Sequence, residues 1–148
     1  MSNRLSHNWK WEDWEISWSL SKSFSETSKI NILLIHGFGA SKGHWRHNQD
    51  FLRNIGNCYS IDLIGFGESS QPSALINNEP KKKNSVKYSF DLWSSQIAAF
   101  CDEIIKSPVY LVGNSIGGVI ALKSAQILIE NCLGVVLVDC AQRTMDDK

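Results

Sequence analysis

The run Val109-Tyr110-Leu111-Val112-Gly113-Asn114-Ser115-Ile116-Gly117-Gly118 constrains this chain more than any other stretch. Val109 to Val112 follows Pro108 and is rich in β-branched and aromatic residues, the composition of a short buried strand. From Ile116 the spacing changes, and Ile116, Val119, Ile120, Ala121, Leu122, Ala125, Leu128 and Ile129 predict a helix to about Glu130. A strand that becomes a helix within a few residues needs a sharp reversal, and the residue at its apex is forced into a sparsely populated backbone region. Gly113 and Gly117 flank Ser115 and remove the side chains that would collide across the reversal. The serine hydroxyl is then left at the carboxyl end of a strand and the positive end of a helix.

The pattern is Gly-x-Ser-x-Gly, a nucleophile elbow. A serine that merely caps a helix is the plain alternative. The strand before and the helix after favour the elbow.

The chain has 148 residues, 43% hydrophobic and 20% charged, enough to bury a sizeable core in one domain. Its formal net charge is zero, with neither a basic face nor a basic tail, which argues against nucleic acid or an anionic membrane as the main partner and leaves a peripheral membrane contact open. Cys58, Cys101, Cys132 and Cys140 are widely spaced in or beside apolar stretches and read as buried free thiols in a reducing compartment. The first thirty residues hold no apolar segment fit for a signal peptide, and no run of eighteen apolar residues occurs. The expectation is a soluble cytoplasmic protein without a transmembrane segment.

Along the chain, Met1 to Asn8 is polar and expected to fray. Trp9, Trp11, Trp14, Ile16, Trp18 and Leu20 alternate with polar residues on either side of Glu12-Asp13, which predicts an antiparallel hairpin at a sheet edge, its tryptophans used for packing. Ile30 to Ile35 reads as a buried strand ending in His36-Gly37-Phe38-Gly39-Ala40. A helix is predicted from Gly43 to Ile55 with Trp45, Phe51, Leu52 and Ile55 as its apolar positions, then a strand from Cys58 to Leu63 and a loop bearing Gly65 and Gly67. Residues 71–87, with two prolines and Lys81-Lys82-Lys83, read as a solvated loop. Ser89 is an N-cap for a helix ending near Lys106, and Gly134 to Asp139 is a final strand before a polar tail, 143–148, expected to fray.

Alternation of strand and helix after a hairpin predicts an α/β fold: a mostly parallel sheet, an N-terminal antiparallel hairpin, and helices on both faces joined by right-handed crossovers. Glycines, His36, Ser115 and two aspartates gather at strand carboxyl ends, where open α/β sheets bind ligands.

His36-Gly37-Phe38-Gly39, then Asp62-Leu63-Ile64-Gly65-Phe66-Gly67-Glu68-Ser69, then Gly113-Asn114-Ser115-Ile116-Gly117-Gly118, in this order, resemble the amino-terminal portion of an α/β-hydrolase, a serine hydrolase fold truncated here after about the sixth strand. Trp9-x-Trp11, Tyr88-x-Phe90-x-x-Trp93-x-x-Gln96 and Val138-Asp139-Cys140-Ala141 further resemble the cyanobacterial and chloroplast branch with pheophytinase-like esterases. The matches span roughly residues 9–142, a single incomplete domain.

The resemblance implies that Ser115 attacks a carboxylic ester to form an acyl-enzyme. It implies oxyanion donors at the backbone N–H groups of Ile116 and Phe38, and a structural part for His36, Gly37, Gly39, Gly113, Gly117 and Gly118. Family members order their triad as Ser, acid, His. No histidine follows His47 in this chain. Asp139 occupies an acid position used by some members, although the resembling branch usually has asparagine there, so it stands as a candidate acid. A small, hydrophobic ester is the implied partner, with neither cofactor nor metal. Self-association through the exposed terminal strand is expected.

Two further readings compete. Gly37-x-Gly39-x-x-x-Gly43 after a strand, with Asp62 ending the next, suits a dinucleotide-binding domain, although Lys42 breaks the usual glycine spacing. A non-catalytic remnant needing a partner chain to complete its sheet is the other.

Overall fold

The sheet order follows from the sequence pattern of each strand. In a computed structural model, which describes residues 5–76 and 84–140, six strands run β1 Leu5–Trp11, β2 Trp14–Ser21, β3 Asn31–Ile35, β4 Asn57–Ile61, β5 Val109–Asn114 and β6 Cys132–Val138. They lie in the order β1-β2-β4-β3-β5-β6. β1 and β2 are antiparallel around Glu12, whose φ of 52° makes the turn, and β2 runs antiparallel to β4. β4, β3, β5 and β6 are parallel to their neighbours. The expected mostly parallel sheet with an antiparallel N-terminal hairpin is therefore observed.

Alternation along β3 decides which face each helix covers. Leu33 and Ile35 face a large core with Ile61, Val109, Leu111 and the apolar sides of α2 Phe90–Phe100 and α3 Ile116–Leu128. Ile32 and Leu34 face the other way, against Trp45, Cys58 and Leu52 of the α1 segment, Arg46–Leu52. Helices thus cover both faces. Phe100, fully buried, closes the first core beneath the hairpin, with Trp9 at 5.5 Å and Trp18 at 5.4 Å in edge-on geometry. The hairpin tryptophans are packing residues, and Trp9 sends its indole N–H to Glu103.

Several boundaries differ from expectation. The region expected to fray enters β1 at Leu5, because Leu5 to Asn8 pair with Ser17 to Leu20. Residues 1–4, 77–83 and 141–148, including Lys81 to Lys83 and the polar tail, lie outside the described residues. The helix expected from Gly43 to Ile55 divides into a 3₁₀ turn, Lys42–Trp45, and the short α1. It stops at Leu52, so Phe51 and Ile55 are exposed rather than buried. The β4 strand ends at Ile61, and Asp62 and Leu63 belong to the following loop. α2 passes into a π-helical turn, Cys101–Ile105, and ends at Lys106 in the left-handed region, just before Pro108. Ser89 caps α2 as expected, its hydroxyl accepting from the Leu92 N–H.

The polar residues that alternate along β2 are not left to solvent: Ser17, Ser19 and Ser21 are buried. Gln49 of α1 covers that side. Its amide donates to the carbonyls of Ser19 and Cys58, and its oxygen accepts from the Ser19 hydroxyl. The Ser17 hydroxyl is met instead by Lys42 and Glu68, while the Ser21 hydroxyl is buried without a partner among the described residues, so this polar face is satisfied only in part.

Candidate functional site

The elbow forms because two close approaches exclude side chains. A Cβ on Gly113 would run into the Gly117 carbonyl, and one on Gly117 into the Ile35 and His36 carbonyls, so α3 can press its first turn onto β5 and β3 only with glycine at both places. Ser115 sits between them at φ 55° and ψ −120°, a conformation that costs roughly 1–3 kcal/mol and persists only when neighbours enforce it. One enforcing contact is on β6. The Val138 carbonyl accepts the Ser115 N–H at 3.1 Å and the Asn114 side-chain amide at 3.1 Å.

Ser115 holds the N-cap position of α3, but its side chain makes no capping hydrogen bond. The capping alternative therefore lacks the bond it requires. The Ile116 N–H opens the first turn of α3, and neither it nor the Phe38 N–H donates to a protein acceptor among the described residues. The loop bearing Phe38 lies against the elbow, since a Cβ on Gly37 would stand 3.1 Å from the Ser115 Cβ. The structure thus brings Gly37, Ser115 and Ile116 to one place, with Phe38 next in the loop.

His36 is fully buried. Its Nδ1 lies 2.8 Å from the Gly37 carbonyl and its Nε2 accepts the Leu63 N–H at 3.1 Å, which fixes a neutral ring with the proton on Nδ1. Burial lowers its pKa below the usual histidine range, opposed by the bond to Gly37. Both nitrogens are occupied, so His36 welds the Gly37 turn to the loop after β4. The other histidines lie elsewhere: His7 stacks on Trp18 in β1, His44 packs edge-on to Trp45, and His47 is exposed on α1.

Asp139 follows Val138 directly and is exposed, with φ 46°. It stands one strand over from Ser115, and among the described residues its carboxylate makes no hydrogen bond to any histidine or to Ser115. Cys140 packs beneath the elbow helix, where a Cβ on Gly118 would come within 2.8 Å of its Sγ. Cys58 and Cys101 are buried free thiols, each pushed up to about 12 chiefly by burial, whereas Cys132 and Cys140 are only half-buried.

Asp62 departs most from expectation. Its carboxylate is fully buried, accepting Lys42 N–H at 2.5 Å on one oxygen and Glu68 N–H at 2.9 Å and Lys42 Nζ at 3.0 Å on the other. Lys42 Nζ also reaches Glu68 and the Ser17 hydroxyl. The carboxylate expected to face a ribose is therefore committed to tying the loop after β3 to the loop after β4. The dinucleotide reading fails on that occupancy. Lys42, noted only as a break in glycine spacing, is the central cation of the tie.

Tyr88, Trp93 and Gln96 support the same loop from α2 and its approach. Gln96 accepts the Ile64 N–H and donates to the Asp62 carbonyl, and the Trp93 indole donates to the Ile64 carbonyl. Among the described residues no group of three or more His, Cys, Asp or Glu could hold a metal, and no helix is long and apolar enough to cross a membrane.

Known proteins share the fold of this chain. The family described as alpha/beta hydrolase fold matches residues 30–147. A 1-acylglycerol-3-phosphate O-acyltransferase, ABHD5 of Sus scrofa, is 34% identical over 104 residues, covering 70% of this chain and 28% of that protein. The chloroplastic pheophytinase of Arabidopsis thaliana is 28% identical over 127 residues, covering 73% of this chain and 26% of its own. Among solved structures, a membrane phospholipase A superposes with a TM-score of 0.80 at 30% identity, over 95% of this chain and 41% of that one. The chain spans about a quarter to a third of the curated relatives it matches. Matched by that family over most of its length, this chain belongs to the α/β-hydrolase family.

Proposed function

We propose that this chain is the nucleophile-bearing part of a serine hydrolase acting on carboxylic esters. The observation that carries the reading is Ser115 at φ 55° on the strand-to-helix reversal, with no capping bond to divert its hydroxyl. Attack by the Ser115 Oγ on an ester carbonyl would form the acyl-enzyme and expel the alcohol, and water would release the acid. The N–H groups of Ile116 and Phe38, unpaired among the described residues, would receive the oxyanion, and loss of one such donor typically costs about 3 kcal/mol. Relatives named as a lipase and a pheophytinase, together with an acyltransferase, fit an apolar ester whose acyl group passes through a covalent intermediate.

In this reading the general base is a histidine other than the four of this chain, because His36 has both nitrogens engaged, His7 lies on β1, His44 on the 3₁₀ turn and His47 on α1. Asp139, at the end of the neighbouring strand, is a candidate acid for that histidine. The reading extends to the sheet edge: β6 pairs with another strand, from a second copy when the polypeptide is alone.

A fluorophosphonate probe tests the nucleophile. The expected result is slow labelling of Ser115, absent from Ser115→Ala, and accelerated by added imidazole standing in for the missing base. Acceleration should grow as pH rises through about 6.5–7, as the neutral imidazole accumulates. Equal labelling of wild type and Ser115→Ala would overturn the reading.

A further inference from the structure

The stretch from His36 to Lys42 leaves β3, carries Phe38, and is fastened at both ends to one dipeptide, Asp62-Leu63, in the loop after β4. At its start the His36 Nε2 accepts the Leu63 N–H at 3.1 Å. At its end the Lys42 N–H donates to one Asp62 carboxylate oxygen at 2.5 Å and the Lys42 ammonium to the other at 3.0 Å. The Lys42 carbonyl is held as well, by the Ser60 hydroxyl at 3.0 Å. Between the two fastenings the described residues give one backbone bond, from the Ala40 N–H to the Gly37 carbonyl at 3.3 Å. The Phe38 N–H has no protein acceptor among the described residues, and its ring is 76% exposed, so neither bonding nor packing does much to fix its direction. Its aim is set by the backbone on either side, and therefore by the fastenings.

The two fastenings differ in kind. His36 is a neutral ring, whereas the other is a charge. Asp62 is fully buried, and the loop after β4 wraps it so closely that a Cβ on Gly67, at φ +56°, would run into the carboxylate. A carboxylate taken out of water in this way is tolerated only with a cation and hydrogen bonds around it. Lys42 supplies that cation from the same residue whose N–H anchors the stretch. Its ammonium has no donor left for a substrate, because the Ser17 hydroxyl at 2.9 Å and the Glu68 carboxylate at 2.5 Å take the other two.

We propose that Lys42 is a positioning residue for the Phe38 N–H: through Asp62, its ammonium holds the far end of the stretch that aims this donor at the oxyanion. The proposal rests on the hydrolase reading above. Without the ammonium the buried carboxylate is uncompensated, and the stretch shifts to let water or another donor reach it. The Ile116 N–H keeps its place, because it belongs to α3, whose first turn is seated on β5 and β3 by the close approaches at Gly113 and Gly117. Lys42 thus governs one oxyanion donor and leaves the other alone.

Wild type, Lys42→Met and Lys123→Met are compared as the 148-residue chain, with the Phe38 and Ile116 amides followed by NMR before and after fluorophosphonate labelling of Ser115. Lys123→Met, which removes an exposed ammonium from Asp91, is the control and should match the wild type. In the wild type the phosphonyl oxygen should draw both amide protons downfield. In Lys42→Met the Ile116 proton should move as far as before and the Phe38 proton less than half as far. Labelling should slow about tenfold, short of the ~10²–10³ that loss of a whole donor costs. Should Lys42→Met fail to fold, Lys42→Gln, which keeps a donor towards Asp62, should show the same selective loss in smaller measure. A Phe38 proton that moves as far as in the wild type overturns the proposal, and so does an equal loss at both amides, the mark of general loosening. A wild-type Ser115 that never labels counts against the hydrolase reading instead. The positioning role is then read in the unlabelled chains, where Lys42→Met should lower the amide order parameters of residues 37–41 from about 0.85 towards about 0.6 and leave Ile116 unchanged. Order parameters that stay level there would overturn it.

Discussion

His36 shows how one side chain can serve the site without reacting. It is neutral in the fold, bridging the Gly37 carbonyl and the Leu63 N–H, and its folded pKa is held below the unfolded value by burial. In the unfolded chain it gains a proton as pH falls through about 6.5. The unfolded state then binds more protons than the folded one, so the histidine's contribution is complete above that pH and shrinks as pH falls towards the folded pKa. Urea unfolding should therefore show stability dropping between pH 7.5 and 5.5. In His36→Gln that drop should flatten, although the variant is weaker throughout because the Leu63 N–H bond is lost or lengthened. An unchanged pH slope in the variant would assign the titration elsewhere. Glu68, whose pKa is lowered by its bond to Lys42, acts only at more acidic pH and leaves this window clear. Residue-scale features of this kind were half legible. Ser115, Gly113 and Gly117 lie within five positions of one another, so their geometry was written locally. The far partner of His36, the Leu63 N–H, comes from 27 positions away, and no spacing rule announces it.

Between elements, the same distinction explains what the sequence concealed. Periodicity placed the strands because a buried parallel strand reads as an apolar run and the hairpin as alternation. It carried no sign that Ser17 and Ser19 of β2 are covered by Gln49, Lys42 and Glu68 from 25 to 51 positions away. It also overextended α1, since Phe51 and Ile55 are apolar yet exposed. Lys42 was visible only as an interruption between glycines, while the structure makes it the bridge from the loop after β3 to Asp62 and Glu68. Asp62 is fully buried and Lys42 nearly so, and a buried carboxylate left without its cation is costly. Lys42→Met should therefore lower unfolding stability by about 2 kcal/mol, less than for a fully buried pair because solvent reaches the lysine's outer side. Glu68→Gln should leave the urea midpoint nearly in place, because its carboxylate lies in solvent. Similar losses in the two variants would mean that Lys42 does not work through Asp62.

For the whole molecule, the two faces of the sheet are not equally covered. Among the described residues, one carries α2 and α3 over the main core; the other carries the 3₁₀ turn and the short α1 over β3 and β4, with an apolar groove along Ile32, Tyr110, Val112 and Val136. β6 borders that groove and is the edge strand of the sheet among the described residues, with Leu133 and Val136 each 51% exposed. An apolar strand with a free row of N–H and C=O groups is a template for another strand. Sedimentation velocity on the 148-residue polypeptide should show concentration-dependent association. Val136→Lys, pointing a charge into the groove beside Tyr110, should shift the distribution towards monomer while leaving the Ser115 elbow, held by the Val138 backbone, intact. Fluorophosphonate labelling of the variant would verify that the elbow survives. A wild-type chain that sediments as one monomeric species at every concentration would remove β6 as an adhesive edge. It would also show that covering this edge is not required for the fold to hold Ser115 in its strained conformation.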